Sequence, residues 1–372
     1  MEKTDHIERI EKVYEFTVSK GQKPERLDRF LTRSVQNATR TKVQKAIEEG
    51  RVLVNGSKKK VSYKIAYNDF IRCVVMKLPP IELLPENIPL NITFEDDFLM
   101  VINKPAGMCV HPGIGNRDGT LVNALLYYLG VDEPITVDID DEEEDSLEEN
   151  DDDDDERDEL SEDDEKLYDE NLFLTSSGVR PCLVHRIDKD TTGLLVVAKN
   201  AEIHRKLSEQ FINKTTEREY NAIVWGKPKN DFGRIENNIG RSPRDRKSFA
   251  VVERGGKIAI TEYKVLERFL YTSLLQFRLK TGRTHQIRVH SADIGHKLFG
   301  DERYGGAKVL LGGENPQWKS KMHKILQEYP RQMLHAKTLG FVHPVTNEKM
   351  SFNSELPDDM QYIIEVMREF ST

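Results

Sequence analysis

Residues 183–198 read LVHRIDKDTTGLLVVA. Both ends of this stretch are apolar and favour β-strands, whereas the middle, from His185 to Thr192, is polar. Polar residues between two buried strands belong in a turn at the edge of a sheet, where functional side chains usually lie. The stretch therefore predicts a sheet-containing protein with Asp188 as a candidate functional carboxylate. Capping of the turn by this aspartate is the plainer alternative.

A second polar cluster, TGRTHQIRVH, occupies residues 281–290 directly after an apolar strand. Its last eight residues contain five ionisable or amide side chains, a density that an ordinary solvated surface does not require. We interpret the segment as an extended strand on which Arg283, His285, Ile287 and Val289 share one face.

A third segment, REYNAIVWG at residues 218–226, is an apolar strand with Tyr220 near its start. An inert core tyrosine is the plainer interpretation of this residue. Asp188 is a candidate for catalysis because Arg186 lies in the same polar cluster and Arg288 lies in the second one.

The histidines raise the question of a metal site. His185, His285 and His290 lie in the polar clusters, but no H-x-x-x-H pair and no cysteine pair with ligand spacing accompanies them. The sequence therefore favours hydrogen-bonded structural histidines and predicts no metal.

The chain reads as two domains of the α+β class. Residues 1–22 form a charged lead-in, and residues 23–78 form a small module with helices over 25–35 and 40–49 and strands over 52–54 and 69–75. Four prolines mark residues 79–90 as a linker. Short strands alternate with helices over residues 91–370, which predicts a mixed domain with one extended sheet.

Charge is distributed unevenly along the chain. The formal net charge is −9, but residues 138–170 carry −21, which leaves +12 on the remainder. Residues 20–64 alone carry +9. A positive body suits a polyphosphate ligand, although a solvated basic face is the plainer interpretation. The acidic block is predicted to be a disordered surface loop, with mimicry of nucleic acid or docking of a basic partner as alternatives.

No apolar run is long enough to cross a membrane, and the first residues lack the apolar stretch of a secretory signal. Cys73, Cys109 and Cys182 are scattered singly, which argues against a disulfide framework. We therefore expect a cytoplasmic protein without a membrane segment.

The motifs resemble those of a known family. Residues 183–193 resemble the H-R-L-D-x-x-T-S-G signature of the RluA-type pseudouridine synthases, and residues 281–290 resemble their G-R-T/S-H-Q-I/L-R-V-H signature. The NKPAG run at residues 103–107 is similar to the element that opens their catalytic domain, and residues 218–226 resemble their tyrosine strand. The module ending in RVLVNG at residues 51–56 resembles an S4 RNA-binding domain.

Within that family, the runs VHPG at 110–113 and GTLVNAL at 119–125 are most similar to the branch that modifies a stem-loop of large-subunit ribosomal RNA. Ile187 and Thr192 depart mildly from the commoner Leu and Ser. The acidic block is not a general family feature, and its effect on substrate access is left open.

The resemblance implies a small S4 domain followed by a mixed, mostly antiparallel-sheet catalytic domain that isomerises uridines in ribosomal RNA. Asp188, Tyr220 and Arg288 would be catalytic, with no cofactor, metal or obligatory protein partner. Base flipping and substrate contact would fall to Arg186, His185, Arg283 and His285. RNA binding would fall to basic residues of the N-terminal module, namely Arg26, Arg29, Arg33, Arg40, Lys42, Lys45, Lys58, Lys59 and Lys60.

Two other classes of protein remain as alternatives. A non-catalytic S4-type RNA-binding or ribosome-assembly protein would share the basic module, but would not need Asp188, Tyr220 and Arg288 together. A metal-dependent hydrolase would need its histidines and aspartates to converge on an ion.

Overall fold

The computed structural model of the protein describes residues 10–35, 38, 40–77, 79, 81–113, 116–137, 182–245 and 248–371. The acidic block at 138–170, for which the sequence predicts a disordered loop, lies outside the described residues. The described chain contains two compact units, one within residues 10–82 and one formed by residues 83–135 and 182–371. None of the helices in these ranges has the length and apolar character that crossing a bilayer requires.

The N-terminal unit combines a four-stranded antiparallel sheet with two helices. Its strands are β1 (Ile10–Thr17), β2 (Val52–Val54), β3 (Ser57–Lys58) and β4 (Phe70–Lys77), in the order β1-β4-β2-β3. Its helices are α1 (Leu27–Ser34) and α2 (Arg40–Glu48). The helices bury Leu27, Leu31, Val43 and Ile47 because their apolar residues recur every three or four positions.

The second unit is built on an extended sheet that contains eleven strands among the described residues. Its strands are β6 (Ile92–Glu95), β7 (Leu99–Lys104), β9 (Cys182–Leu183), β10 (Thr192–Ala198), β11 (Glu217–Trp225), β12 (Phe232–Arg241), β13 (Phe249–Val251), β14 (Lys257–Arg268), β15 (Thr272–Leu279), β16 (Leu334–Val342) and β17 (Lys349–Asn353). The strand order is β13-β12-β14-β15-β11-β16-β10-β7-β6, with β17 paired to β16 and β9 paired to β10. Two short strands, β5 (Ile81–Leu83) and β8 (Ile135–Val137), lie outside both sheets.

Five helices accompany this sheet in the described ranges. They are α3 (Leu121–Tyr128), α4 (Ala201–Ile212), α5 (Gln286–Asp293), α6 (Pro316–Glu328) and α7 (Asp358–Glu369). One core cluster joins Trp318 of α6 and Ile363 of α7 to Trp225 of β11. A second joins Leu207 of α4 to Val196 of β10. The predicted α+β class is confirmed, and the sheet is mixed and mostly antiparallel.

The single parallel pairing within the eleven-stranded sheet of the described residues joins β10 to β16. Thr192 lies opposite His335, and Gly193 lies opposite Ala336. Gly193 has a φ of +113°, and a side chain there would meet the Ala336 carbonyl oxygen at 2.3 Å. Glycine is therefore required for this close approach. The pairing places the polar loop that precedes β10 beside the start of β16.

The predicted strand over Arg283–Val289 is wrong, because the chain there enters helix α5. His285 has left-handed backbone angles (φ 56°, ψ 20°), and the helix begins at Gln286. Residues 286–291 are all buried, so the segment lacks the one-sided apolar stripe that identifies a helix in a sequence.

Candidate active site

Asp188 lies in the loop between β9 and β10. The loop is tightened by a hydrogen bond from the Thr191 N–H to the Asp188 carbonyl oxygen at 3.1 Å. The neighbouring Ile187 is buried, whereas 25% of the Asp188 side chain is exposed. The carboxylate is thus anchored by its surroundings but open to a ligand.

Arg288, in the first turn of α5, connects Asp188 to a second carboxylate. Its Nη1 donates to Asp188 Oδ2 at 2.8 Å. Its Nε and Nη2 donate to the two oxygens of Asp301 at 2.7 and 2.9 Å. Asp301 is fully buried and Arg288 is 8% exposed. A bidentate pair of this kind fixes the plane of the guanidinium, so Arg288 presents one oriented donor to Asp188.

The cation beside Asp188 determines its protonation state. Burial alone would raise the pKa of Asp188, but the charges of His285 and Arg288 and the hydrogen bond from Arg288 lower it below its ordinary value. Because burial lowers the pKa of His285 to about 4, that imidazole is neutral at neutral pH. Arg288 is therefore the main group that keeps Asp188 ionised under neutral conditions.

Tyr220 belongs to the same site and lies in β11. The register between β11 and β16 shifts at Glu219 and Tyr220, and the Tyr220 ring is 8% exposed. Burial raises the pKa of Tyr220, the charge of Arg218 opposes this rise, and the charge of Asp188 adds to it. The site therefore combines a neutral phenol, an ionised carboxylate and a fixed guanidinium.

Two buried cations hold the Asp188 loop by its backbone. Lys104 donates from Nζ to the Lys189 carbonyl at 2.8 Å and to two carbonyls in the turn that follows β7. Arg331 donates from Nη1 to the Asp190 carbonyl at 3.2 Å and forms a two-point ion pair with Asp359 at 2.6 and 2.8 Å. Two consecutive carbonyl groups after Asp188 are thus fixed, which limits the directions its side chain can take.

His285 and Arg186 both lie near the candidate carboxylate. The Nε2 atom of His285 is 3.9 Å from Asp188 Oδ2. Arg186 is exposed on the same loop, and its positive charge contributes to the lowered pKa of Asp188.

Arg283 and His185 are engaged in other contacts. Arg283 donates from Nε to the Ile258 carbonyl oxygen at 3.2 Å. His185 accepts a hydrogen bond from the Val196 N–H at 3.1 Å through Nε2, and its ring stacks on Phe211 at 4.6 Å. The lone pair of His185 is therefore occupied by the sheet.

Sequence reasoning missed Asp301, Tyr304 and Arg331. Asp301 and Tyr304 lie in GDERYGG at residues 300–306, a polar run between glycines that resembles the two clusters discussed above in composition. The high density of charged residues in this run is a sequence signal from which Asp301 and Tyr304 could have been predicted. Arg331 stands alone in its segment, and only the contact with Asp190 reveals its position in the site.

The basic residues predicted to bind RNA in the N-terminal unit differ in their surroundings. Arg26 and Arg40 both contact the fully buried Asp28, at 3.0 and 3.1 Å, and Gln44 also donates to that carboxylate. Burial would raise the pKa of Asp28, but hydrogen bonds from Arg26, Gln44 and Arg40 hold it at about 2. The cluster therefore stabilises the folded unit at pH values above the ordinary pKa of a carboxyl group. This stabilisation is lost as the pH falls through about 2, where Asp28 takes up a proton.

The other predicted RNA-binding residues lie mostly at the surface. Arg33 pairs with Glu25 at 2.7 Å and remains 67% exposed. The Lys59 ammonium lies 5.3 Å from the centroid of the Tyr63 ring. Lys42 is half-buried, and the remaining members of the set, Arg29, Lys45, Lys58 and Lys60, are exposed.

Replacing Arg40 with alanine is expected to lower the stability of the N-terminal unit by about 1–3 kcal/mol, because the buried Asp28 loses a partner. RNA affinity should fall as well. The exposed Arg29 provides the matched control, since Arg29→Ala should weaken RNA binding at an unchanged melting temperature. Thermal unfolding and RNA titration of both variants test this, and equal melting temperatures would contradict it.

Across the described residues, no three His, Cys, Asp or Glu side chains come together as a metal-binding group. His285 and Asp188 approach each other, but the second carboxylate, Asp301, is occupied by Arg288.

The family model of RNA pseudouridylate synthases matches residues 98–293, more than half of the chain. The chain belongs to the RNA pseudouridylate synthase family. A model of the S4 domain matches residues 25–71 of this synthase, within its N-terminal unit.

Curated relatives resemble this synthase over nearly its whole length. An uncharacterised RNA pseudouridine synthase of Chlorobaculum parvum is 45% identical, with 95% of this chain and 98% of the relative covered. A ribosomal large subunit pseudouridine synthase D of Zymomonas mobilis is 36% identical, with 92% and 93% covered. These matches favour the catalytic interpretation over a non-catalytic RNA-binding protein.

A solved structure supports the fold. Human RNA pseudouridylate synthase domain containing 4 matches this synthase with a TM-score of 0.51 at 22% identity, covering 75% of this chain and 93% of that chain. The likeness concerns the fold. The S4-plus-synthase organisation implied by the motifs is thus confirmed for an RNA pseudouridine synthase.

Proposed function

We propose that this synthase converts specific uridines of large-subunit ribosomal RNA to pseudouridine, with Asp188 as its catalytic carboxylate. The observation that carries this proposal is a partly exposed, ionised carboxylate held by a buried and oriented Arg288. The relative from Zymomonas mobilis, whose name specifies the ribosomal large subunit, supports the choice of RNA.

The reaction requires a base to be detached, turned and reattached. The N1–C1′ bond of uridine breaks and C5 bonds to C1′. C5 then loses its proton and N1 gains one, so atoms balance and no redox change occurs. Asp188 would either add to the substrate or abstract a ribose proton, and both roles require the ionised form. Arg288 maintains that form, and Tyr220 stacks on the base and takes part in the late proton transfer from C5.

The target uridine must leave the RNA helix before it can reach Asp188, at a cost of roughly a few kcal/mol. Arg186, exposed beside Asp188, fills the vacated stack. His185, His285 and Arg283 complete the substrate-binding surroundings.

We assign RNA binding to residues 23–78 and chemistry to residues 91–370, joined by a linker at 79–90. Residues 1–22 precede the first domain, and the acidic block 138–170 is inserted in the second. The basic residues of the N-terminal unit hold RNA by its phosphates, which fixes the register of the target. The enzyme acts in the cytoplasm without an obligatory protein partner.

Mapping of pseudouridines in ribosomal RNA tests this function. RNA from cells with the protein, without it, and with only Asp188→Asn should be compared. Specific large-subunit positions should remain uridine in the last two samples and be modified in the first. Unchanged large-subunit RNA together with a loss of pseudouridine elsewhere would assign a different substrate.

A further inference from the structure

His285 is surrounded in a way that selects one of its two neutral forms. Its Nδ1 lies 2.8 Å from the hydroxyl oxygen of Tyr304, and its Nε2 lies 3.9 Å from Asp188 Oδ2. The ring packs edge-on against Phe249 and Tyr304, each with a centroid separation of 5.7 Å. Position and orientation of the imidazole are therefore set on several sides.

A count of hydrogen bonds at Tyr304 determines the direction of its contact with His285. The hydroxyl oxygen accepts a hydrogen bond from the Phe249 N–H at 3.1 Å. Within the described residues, the Nδ1 atom of His285 is the remaining partner within hydrogen-bond distance. If Nδ1 carried the proton, the hydroxyl would accept twice and its own hydrogen would have no acceptor there. Leaving a hydroxyl donor at this half-buried position without a protein partner carries a cost, so Tyr304 donates to Nδ1.

The opposite side of the ring selects the same form. With Nδ1 as acceptor, the proton of the neutral ring is on Nε2 and faces the carboxylate of Asp188. The other tautomer would direct a lone pair toward an ionised oxygen. Two contacts on opposite edges of the imidazole thus favour Nε2–H.

The imidazole of His285 is neutral at neutral pH. Burial lowers the pKa of His285 to about 4. The negative charges of Asp188 and Asp301 act against this lowering. The positive charges of Arg288 and Arg303 add to it. The tautomer, rather than the charge, therefore determines what the imidazole offers to its surroundings.

The backbone of His285 supports a functional use of its side chain. The residue occupies the N-cap position of α5 in a left-handed conformation, which is uncommon outside glycine, and its side chain does not cap the helix. Unusual backbone conformations of this kind concentrate at functional sites.

We propose that Tyr304 is a positioning residue that fixes His285 in its Nε2–H tautomer, so that the imidazole presents an N–H to the Asp188 carboxylate. At 3.9 Å this donor is not consumed by Asp188 and is available to an oxygen of the bound uridine. The kinetic consequence rests on the proposed role of Asp188, whereas the tautomer itself does not.

The tautomer can be measured directly in the full-length protein without substrate. Nitrogen NMR of histidine-labelled protein distinguishes protonated from unprotonated ring nitrogens, and His285→Gln identifies the His285 signals among those of ten histidines by their loss. We expect Nε2 at the protonated position and Nδ1 at the unprotonated position at neutral pH. A protonated Nδ1 in the wild type would overturn the proposal.

The positioning role is tested by Tyr304→Phe, which removes only the hydroxyl. The Nδ1–H form should then appear, and the single-turnover rate at saturating RNA should fall by about tenfold with RNA affinity unchanged. Tyr271→Phe is the matched control, because its hydroxyl bonds Glu314 at 3.1 Å outside the site; it should retain the wild-type rate and tautomer. An unchanged tautomer and rate in Tyr304→Phe would exclude positioning by Tyr304.

These two measurements separate failure of this proposal from failure of the proposed function. If Asp188 were not catalytic, the NMR result would stand while the rate of Tyr304→Phe stayed at the wild-type value. If the tautomer were Nδ1–H, the present inference would fail although Asp188→Asn remained inactive.

Discussion

Asp188→Asn is expected to abolish pseudouridine formation while RNA binding remains nearly intact. The substitution keeps the volume of the side chain but removes the charge and the oxygen that would act as nucleophile or base. We expect the rate to fall by about 10⁴-fold or more. Tritium release from RNA labelled at C5 of uridine measures the rate, and a titration with the same RNA measures binding.

The same loop provides a matched control. Asp190→Asn makes an identical chemical change two residues away, where the backbone carbonyl, rather than the carboxylate, contacts Arg331. It should retain most of the activity. Ordinary turnover by Asp188→Asn, or equal losses in both variants, would remove Asp188 from its proposed role.

Arg288→Met is expected to have the second-largest effect, a fall in rate of about 10²- to 10³-fold at neutral pH. In the wild type, the pKa of Asp188 lies below its ordinary value of about 3.9, so the rate should hold as the pH falls toward that point. Without the cation, burial raises the pKa of the carboxyl group. The acid limb of the pH–rate profile should therefore move to higher pH, with the greatest loss of rate on the acidic side.

A double variant separates chemistry from stability. Arg288→Met also leaves the buried Asp301 without its ion-pair partner, which should cost about 3–5 kcal/mol of folding stability. Adding Asp301→Asn removes the stranded charge and should restore part of that stability without restoring activity. A pH–rate profile that only scales down, or a double variant that regains activity, would show that Arg288 acts through the fold alone.

Segments with a clean apolar period were predictable from the sequence. The predicted helices over 25–35 and 40–49 correspond to α1 (Leu27–Ser34) and α2 (Arg40–Glu48), and the strand over 52–54 corresponds to β2. Local spacing was sufficient there because each element buries one side. It was insufficient for α5, where burial on every side removes the stripe.

Strand β16 shows a second reason why an element cannot be predicted from its own sequence. Its sequence mixes His335, Lys337 and Thr338 with apolar residues, so it lacks a two-residue alternation. Its place is determined by pairing with β10 on one side and β11 on the other. Such pairings depend on the whole sheet and leave no local mark in the sequence.

The proposed site was predictable to the same limited degree. Asp188 and Arg288 emerged from dense polar clusters that also carry the family resemblance. The carboxylate that orients Arg288 comes from Asp301, 13 residues further along, and the backbone anchor of the loop comes from Arg331, 141 residues beyond Asp190. Neither spacing follows a local rule, because each contact is created by the path of the chain through the sheet.

The long separation in sequence between the Asp188 loop and Arg331 also affects when the site can form during synthesis of the chain. Asp188, Tyr220 and Arg288 are all synthesised before β16, and therefore before β16 can pair with β10. Pairings between such distant segments close late in folding, and a domain becomes stable as a unit once its last elements are present. A nascent chain ending before Arg331 thus contains the proposed reactive residues without the assembled site. We therefore expect activity to appear only after Arg331 and β16 have been synthesised and have reached the Asp188 loop.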